Sequence, residues 1–191
     1  MDYFSGWCKS ERRLEGFTII VTGSNTGMGR ETAADLYQRV YKLDLDDINF
    51  NDTQYTPLRA YANSKIANIL FAKALDLKLK EHGITGVSTY SLHPGIVKTS
   101  IGRHFSQTAW SIVTHGFQNY LLNWCWKTPR CGAQTSIYCA VDETCENESG
   151  FYYSDCAKST PSRQCQSESE AERLWNVTID MLNLREFDPF T

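Results

Sequence analysis

The sequence has no uninterrupted apolar run approaching the about 20 residues that a membrane-spanning helix needs. It also has no basic run: 19 Lys and Arg stand against 22 Asp and Glu, for a net charge of −3. That balance argues against nucleic acid as the main partner. Only 5 of the 191 residues are proline and 12 are glycine, while 41% are hydrophobic and 21% charged. These figures exclude collagen-like, low-complexity and highly charged disordered chains. They leave an ordinary globular chain, long enough for one domain with a sizeable core.

Metal-ligand spacings are missing as well. His82, His93, His104 and His115 form no H-E-x-x-H, and the seven cysteines form no C-x-x-C, so no metal site is predicted. The opening residues, MDYFSGWCKSERRLEG, lack the basic-then-apolar plan of a secretory signal. With an odd cysteine count, this predicts free thiols in a reducing compartment and an intracellular chain, cytoplasmic or peripheral on an intracellular membrane. The sequons at Asn51, Asn147 and Asn176 are then expected to stay unmodified.

What is present is an alternation of short apolar runs and helical patterns. FTIIVT, Phe17 to Thr22, has the β-branched content and length of a buried strand. Gly23-Ser24-Asn25-Thr26-Gly27-Met28-Gly29 follows, then RETAADLYQRV with Ala33, Leu36, Tyr37 and Val40 on one side. This reads as strand, glycine-rich turn, helix. Residues 41–60 read mainly as loop. A long helix is predicted over Ala60–Glu81, where Ile66, Ile69, Leu70, Ala74 and Leu77 recur at three- and four-residue spacing and Gly83 caps the end. Val87–Leu92 reads as a strand closed by His93-Pro94-Gly95. Thr128-Pro129 opens a helix to about Val141. Gly150–Tyr153 reads as a short strand and Glu168–Leu184 as a last helix. The alternation predicts a parallel α/β sheet.

Two constellations carry chemistry. The glycines at 23, 27 and 29 place free backbone N–H groups and the positive end of a helix dipole where an anion, above all a dinucleotide pyrophosphate, can approach closely. A tight turn without a ligand gives the same pattern. Tyr61 and Lys65 lie four residues apart on one helix face. A phenol ordinarily titrates near pH ~10, and a neighbouring ammonium favours its ionised form, making it a usable acid/base at neutral pH. On its own such a pair is common on solvated helix faces, and its weight comes from the other motifs.

In combination these motifs are specific. Thr22-Gly23-xxx-Gly27-x-Gly29, Tyr61-xxx-Lys65 and Pro94-Gly95-xxx-Thr99 resemble the glycine, catalytic and post-catalytic motifs of the short-chain dehydrogenase/reductase superfamily. The flanking segments TGSNTGMGRET, AYANSKIANILFAKAL, YSLHPGIVKTSI, KTPRCGAQTSIYCAV and SGFYYSDC resemble its retinol dehydrogenase-like branch. The resemblance implies a Rossmann-like parallel sheet with flanking helices, one NAD(P)-binding domain over residues 1–191. It implies Tyr61 as general acid/base and Lys65 as the cation that lowers its pKa and holds the nicotinamide ribose. Gly23, Ser24, Asn25, Gly27, Met28 and Gly29 would line the pyrophosphate and adenosine side of the cofactor. His93, Pro94, Gly95 and Thr99 would lie along its nicotinamide and diphosphate. The implied reaction is hydride transfer between NADP(H), preferred over NAD(H), and a lipophilic alcohol or its carbonyl counterpart.

Measured against that family, an interval is missing. Only 31 residues separate Gly29 from Tyr61. There the family carries four strands and three helices, which need roughly 90 residues at mean element and loop lengths. The expected fold therefore lacks strands 2 to 5 and their helices. The residue that reads the ribose 2′ position goes with them, and so does the substrate-binding serine, since residues 30–60 contain no Ser. Thr53 and Thr56 supply hydroxyls there but follow no recognisable strand. Lys42-Leu43-Asp44-Leu45-Asp46 reads either as an echo of the family's third strand or as the loop leading to Tyr61. The aromatic stretch 105–126 reads either as a lid or core packing over a lipophilic substrate, or as a peripheral membrane contact.

Overall fold

A computed structural model describes residues 6–9, 42–95, 97, 127–186 and 190. The glycine turn, Thr99 and the aromatic stretch 105–126 lie outside the described residues. The chain divides into two compact units. One comprises Met1–Ala33, His93–Cys145 and Ser154–Ala157, the other Ala34–Leu92, Glu146–Tyr153 and Lys158–Thr191.

The second unit is built around helix α1, Pro57–Glu81. Thr56 stops the preceding chain in an extended conformation and its hydroxyl accepts the Arg59 N–H at 3.2 Å, while Pro57 takes the first helical position. The helix therefore begins three residues before the expected Ala60: capping chemistry, rather than the first apolar residue, sets the start. At its other end His82 is the cap and Gly83 turns left-handed at φ +65. Ile84 N–H then donates to Leu79 O at 2.9 Å and Gly83 N–H to Lys80 O at 3.1 Å, a Schellman closure.

The inward face of α1, carrying Ile66, Ile69, Leu70 and Ala74, packs with Leu43, Leu45, Tyr152, Cys165, Ala171 and Leu174 into one apolar cluster. The last two belong to the C-terminal helix Glu168–Met181, labelled α4 below. Ser167 accepts the Glu170 N–H at its start, and Glu168 and Glu170 complement the positive end of its dipole. It ends before the expected Leu184 because Asn183 adopts φ +54 and Leu184 N–H returns to Ile179 O at 3.0 Å.

Residues 42–56 form no strand or helix, which decides in favour of the loop reading of Lys42–Asp46. That loop is nevertheless structural. Leu43 and Leu45 are buried in the cluster. Both backbone groups of Leu43 are satisfied by one side-chain amide: its N–H donates to Gln164 Oε1 and its C=O accepts from Gln164 Nε2, each at 2.9 Å. Gln164 thus does for Leu43 what a neighbouring strand would. Further on, Asp47 accepts the N–H groups of Asn51, Asp52 and Thr53 and the Thr53 hydroxyl, folding residues 47–53 around one carboxylate.

A mixed three-stranded sheet in the order β1-β2-β3, with one parallel pair, joins Tyr90–His93, Phe151–Ser154 and Ala157–Ser159. β1 starts later than the expected Val87, which is exposed. Pairing begins only where Thr89 is captured, its N–H by Ser149 Oγ at 2.9 Å and its C=O by Gly150 N–H at 2.7 Å. β3 was not foreseen. It is created by a two-residue turn in which Asp155 and Cys156 both take positive φ, 51 and 57, the hairpin geometry that returns the chain beside β2.

In the first unit, Thr128 and Pro129 open a helix as expected, with the Thr128 hydroxyl accepting the Cys131 N–H at 3.2 Å. The helix is interrupted, however, into α2, Pro129–Gly132, and α3, Gln134–Val141. Gly132 lies hard against Val97, whose Cγ2 would be 2.1 Å from a Cβ at that position. Glycine within a helix also weakens its continuity. Among the described residues, no helix is long and apolar enough to cross a membrane, and no group of three or more His, Cys, Asp or Glu is placed to hold a metal ion.

Candidate functional site

The first two turns of α1 present Tyr61 and Lys65. Both are half-buried. The helix register brings them together, with Lys65 Nζ lying 5.2 Å from the centroid of the Tyr61 ring, within cation–π range. The adjoining face of the same turns is fixed in the interior: Ala62 and Ile66 are fully buried. Ser64 Oγ donates to Tyr61 O at 2.7 Å, tightening the turn that carries the phenol.

Asn63, two residues from each in sequence and so on a different face of the helix, is only 5% exposed. Among the described residues, its Oδ1 is the one buried side-chain polar atom without a hydrogen-bond partner. A buried acceptor left in this state costs about 1–3 kcal/mol. Sequence spacing alone gave no signal for it, because an asparagine at this register reads as an ordinary helix-face residue. Thr53 and Thr56, the two hydroxyls preceding Tyr61, are both engaged structurally, one by Asp47 and one as the helix cap.

In the first unit, β1 ends at His93 and Pro94-Gly95 follow it without regular structure. Gly95 sits at φ +81 and its N–H donates to His93 Nδ1 at 2.9 Å. In the neutral ring this leaves the proton on Nε2. The left-handed φ of Gly95 favours glycine, and a Cβ there would also fall 2.6 Å from Lys127 Cε and 2.7 Å from Lys127 Nζ and displace that side chain. Lys127 is buried with its ammonium paired to the Asp155 carboxylate. Neither Lys127 nor Asp155 was anticipated; their association depends on the hairpin turn at 155–156, which sequence periodicity did not reveal.

Tyr61 and Lys65 are therefore brought together by one helix, while His93, Pro94 and Gly95 are consecutive at the end of β1 in the other unit. Gly23, Ser24, Asn25, Gly27, Met28, Gly29 and Thr99 lie outside the described residues. As a donor set, a phenol beside an ammonium on one partly exposed face fits the hydroxyls of a nicotinamide ribose, since both groups offer hydrogen-bond donors and neither is sealed from solvent.

The chain is similar to retinol dehydrogenase 11 of Homo sapiens, 41% identical over 144 residues, which covers 73% of this chain and 42% of that protein. It is 40% identical over 144 residues to retinol dehydrogenase 12 of Homo sapiens (75% and 42% covered). To retinol dehydrogenase 14 of Homo sapiens it is 37% identical over 150 residues (76% and 42% covered). The chain thus spans about 42% of the length of these curated relatives. A crystal structure of an uncharacterized protein from Mycobacterium paratuberculosis matches 78% of this chain and 48% of its own, with a TM-score of 0.54 at 19% identity, a likeness of fold. No family model matches the chain.

Proposed function

The chain belongs to the short-chain dehydrogenase/reductase superfamily, with retinol dehydrogenases as its homologues, and from that premise we propose that it is a nicotinamide-dependent oxidoreductase interconverting a lipophilic, retinol-like alcohol and its carbonyl form, weakened by an internal deletion. Residues 1–191 are then the remains of a single NAD(P)-binding domain. The observation that carries this reading is the Tyr61–Lys65 pair: a half-buried phenol under an ammonium on one helix face. Tyr61 gives a proton to the substrate oxygen during reduction and takes it back during oxidation. Lys65 favours the ionised phenol and donates to ribose hydroxyls. The cofactor, when bound, supplies the hydride. NADP(H) is assigned ahead of NAD(H) on the resemblance to the branch alone, because the residue that reads the ribose 2′ position falls in the missing interval.

The glycine turn from Gly23 to Gly29 is assigned to the pyrophosphate, and His93, Pro94, Gly95 and Thr99 to the nicotinamide and diphosphate side. The test is retinal reduction by the purified chain with NADPH. A slow, saturable rate is expected, falling about 100-fold or more in Tyr61→Phe, the usual contribution of a positioned acid.

A second reading is favoured by the 31-residue interval between Gly29 and Tyr61 and the absence of serine from residues 30–60. It makes this a non-catalytic truncated chain acting by interaction, or the product of an exon-skipped transcript without stable function. No thermal shift with NADPH or NADH, together with no retinal reduction, decides for it. Sequencing the transcript across Gln38 to Lys42 separates its two forms.

A further inference from the structure

Five of the described cysteines, Cys8, Cys131, Cys139, Cys145 and Cys156, fall in the first unit, all as thiols. Cys131, Cys139 and Cys145 are sealed from solvent. Burial, then the neighbouring thiols, pushes the Cys139 thiol far up, which keeps it protonated and unreactive. Cys8 and Cys156 differ in being half-buried and within reach of solvent.

The chain also brings together the segments that carry these two. Residues 6–9 lie against the hairpin turn: a Cβ on Gly6 would fall 1.9 Å from the Asp155 carbonyl oxygen and 3.1 Å from Cys156 Cβ, so only glycine allows the approach. Two residues on, Cys8 N–H donates to Gln134 Oε1 at 3.3 Å, and Cys156 N–H donates to Thr135 Oγ1 at 3.3 Å. Consecutive residues at the start of α3 thus hold both cysteine backbones. The Arg130 guanidinium, 5.9 Å from the Trp7 ring centroid, pins the segment further.

From this placement we infer that Cys8 and Cys156 form a paired-thiol modification site, which closes to an intramolecular disulfide by exchange with a low-molecular-weight disulfide of the glutathione class. The Cys8 thiolate adds to one sulfur of the small disulfide, whose S–S bond breaks; the other half leaves as a thiolate and takes up a proton. Cys156, as thiolate, then attacks the Cys8 sulfur and expels the second small thiol. Two protein thiols are oxidised by two electrons, and one small disulfide is reduced to two thiols. In a reducing compartment the pair rests open and closes only when the thiol pool is oxidised.

The test uses the full chain incubated with oxidised glutathione, alkylated without unfolding, digested and read by mass spectrometry. The expected result is an intact mass lower by two hydrogens, a peptide pair joined through Cys8 and Cys156, and full reversal by dithiothreitol. Cys8→Ser and Cys156→Ser should each lose the cross-link and retain a stable mixed disulfide on the remaining cysteine. The inference is overturned if the wild-type chain accumulates mixed disulfides at both positions without a cross-link. It is equally overturned if Cys8 cross-links to other cysteines as readily as to Cys156.

Discussion

Leu70 and Phe71 are adjacent on α1 but face different surroundings, and the difference has a calculable consequence. Leu70 is fully buried in the apolar cluster with Ile66, Ala74, Tyr152 and Leu174. Phe71 is 41% exposed and stacks on Trp175 with ring centroids 5.8 Å apart. Truncating Leu70 to Ala removes three carbon groups, about 2.4 kcal/mol of transfer free energy at ~0.8 kcal/mol each. The cavity left behind adds to this, so a loss of about 3–4 kcal/mol is expected, within the range for buried leucines. Phe71→Ala forfeits partial burial and one aromatic pair, about 1–1.5 kcal/mol. Leu70→Met, which conserves volume, should cost less than about 1.5 kcal/mol. Urea unfolding followed by far-UV circular dichroism at constant m-value reads all three. If Leu70→Ala costs no more than Phe71→Ala, the inward face of α1 has been misassigned and the cluster is not the unit's core.

Gly83→Ala meets no atom within 4 Å, so it should lose only the about 1–2 kcal/mol of forcing an L-residue to φ +65, seen as a lower urea midpoint. Gly132→Ala should destabilise strongly by collision with Val97, and Val97→Ala should restore part of the loss in the double variant, a non-additivity that a cycle of thermal melts detects. The Thr53 hydroxyl, with the N–H groups of residues 51–53, holds the Asp47 carboxyl below its ordinary value. Because the folded value is the lower one, this stabilisation is present above the unfolded carboxylate range and is lost as pH falls through it toward the folded value. Asp47→Asn should therefore flatten the fall in stability that the wild-type chain shows below about pH 4, measured by urea midpoints across that range.

What the sequence made legible followed from strong local chemistry. Thr128-Pro129, Gly83 and the three- and four-residue spacing from Ile66 to Leu77 each act within a few residues, and each element they announce is present. Elements that depend on partners far along the chain were harder to see. Leu43 and Leu45 lie in a stretch that reads as polar loop, because their burial requires a glutamine 121 residues away to occupy the Leu43 backbone. β3 rests on positive φ at Asp155 and Cys156, neither a glycine, so no turn signature announced it. The break at Ala133 reflects contact between Gly132 and Val97 across 35 residues, which periodicity cannot register. Of the candidate site, the Tyr61–Lys65 pair was legible because helix geometry alone joins it. The orphaned Asn63 oxygen was not, since a missing partner leaves no trace in sequence.

The most direct test of the account is whether hydride moves in this chain and depends on Tyr61. Retinal is incubated with NADPH carrying deuterium at the transferable position, and the retinol formed is read by mass spectrometry. The account predicts one deuterium in each retinol produced by the wild-type chain, with product formation lost in Tyr61→Phe. Unlabelled product, or labelled product formed equally well by Tyr61→Phe, would contradict it.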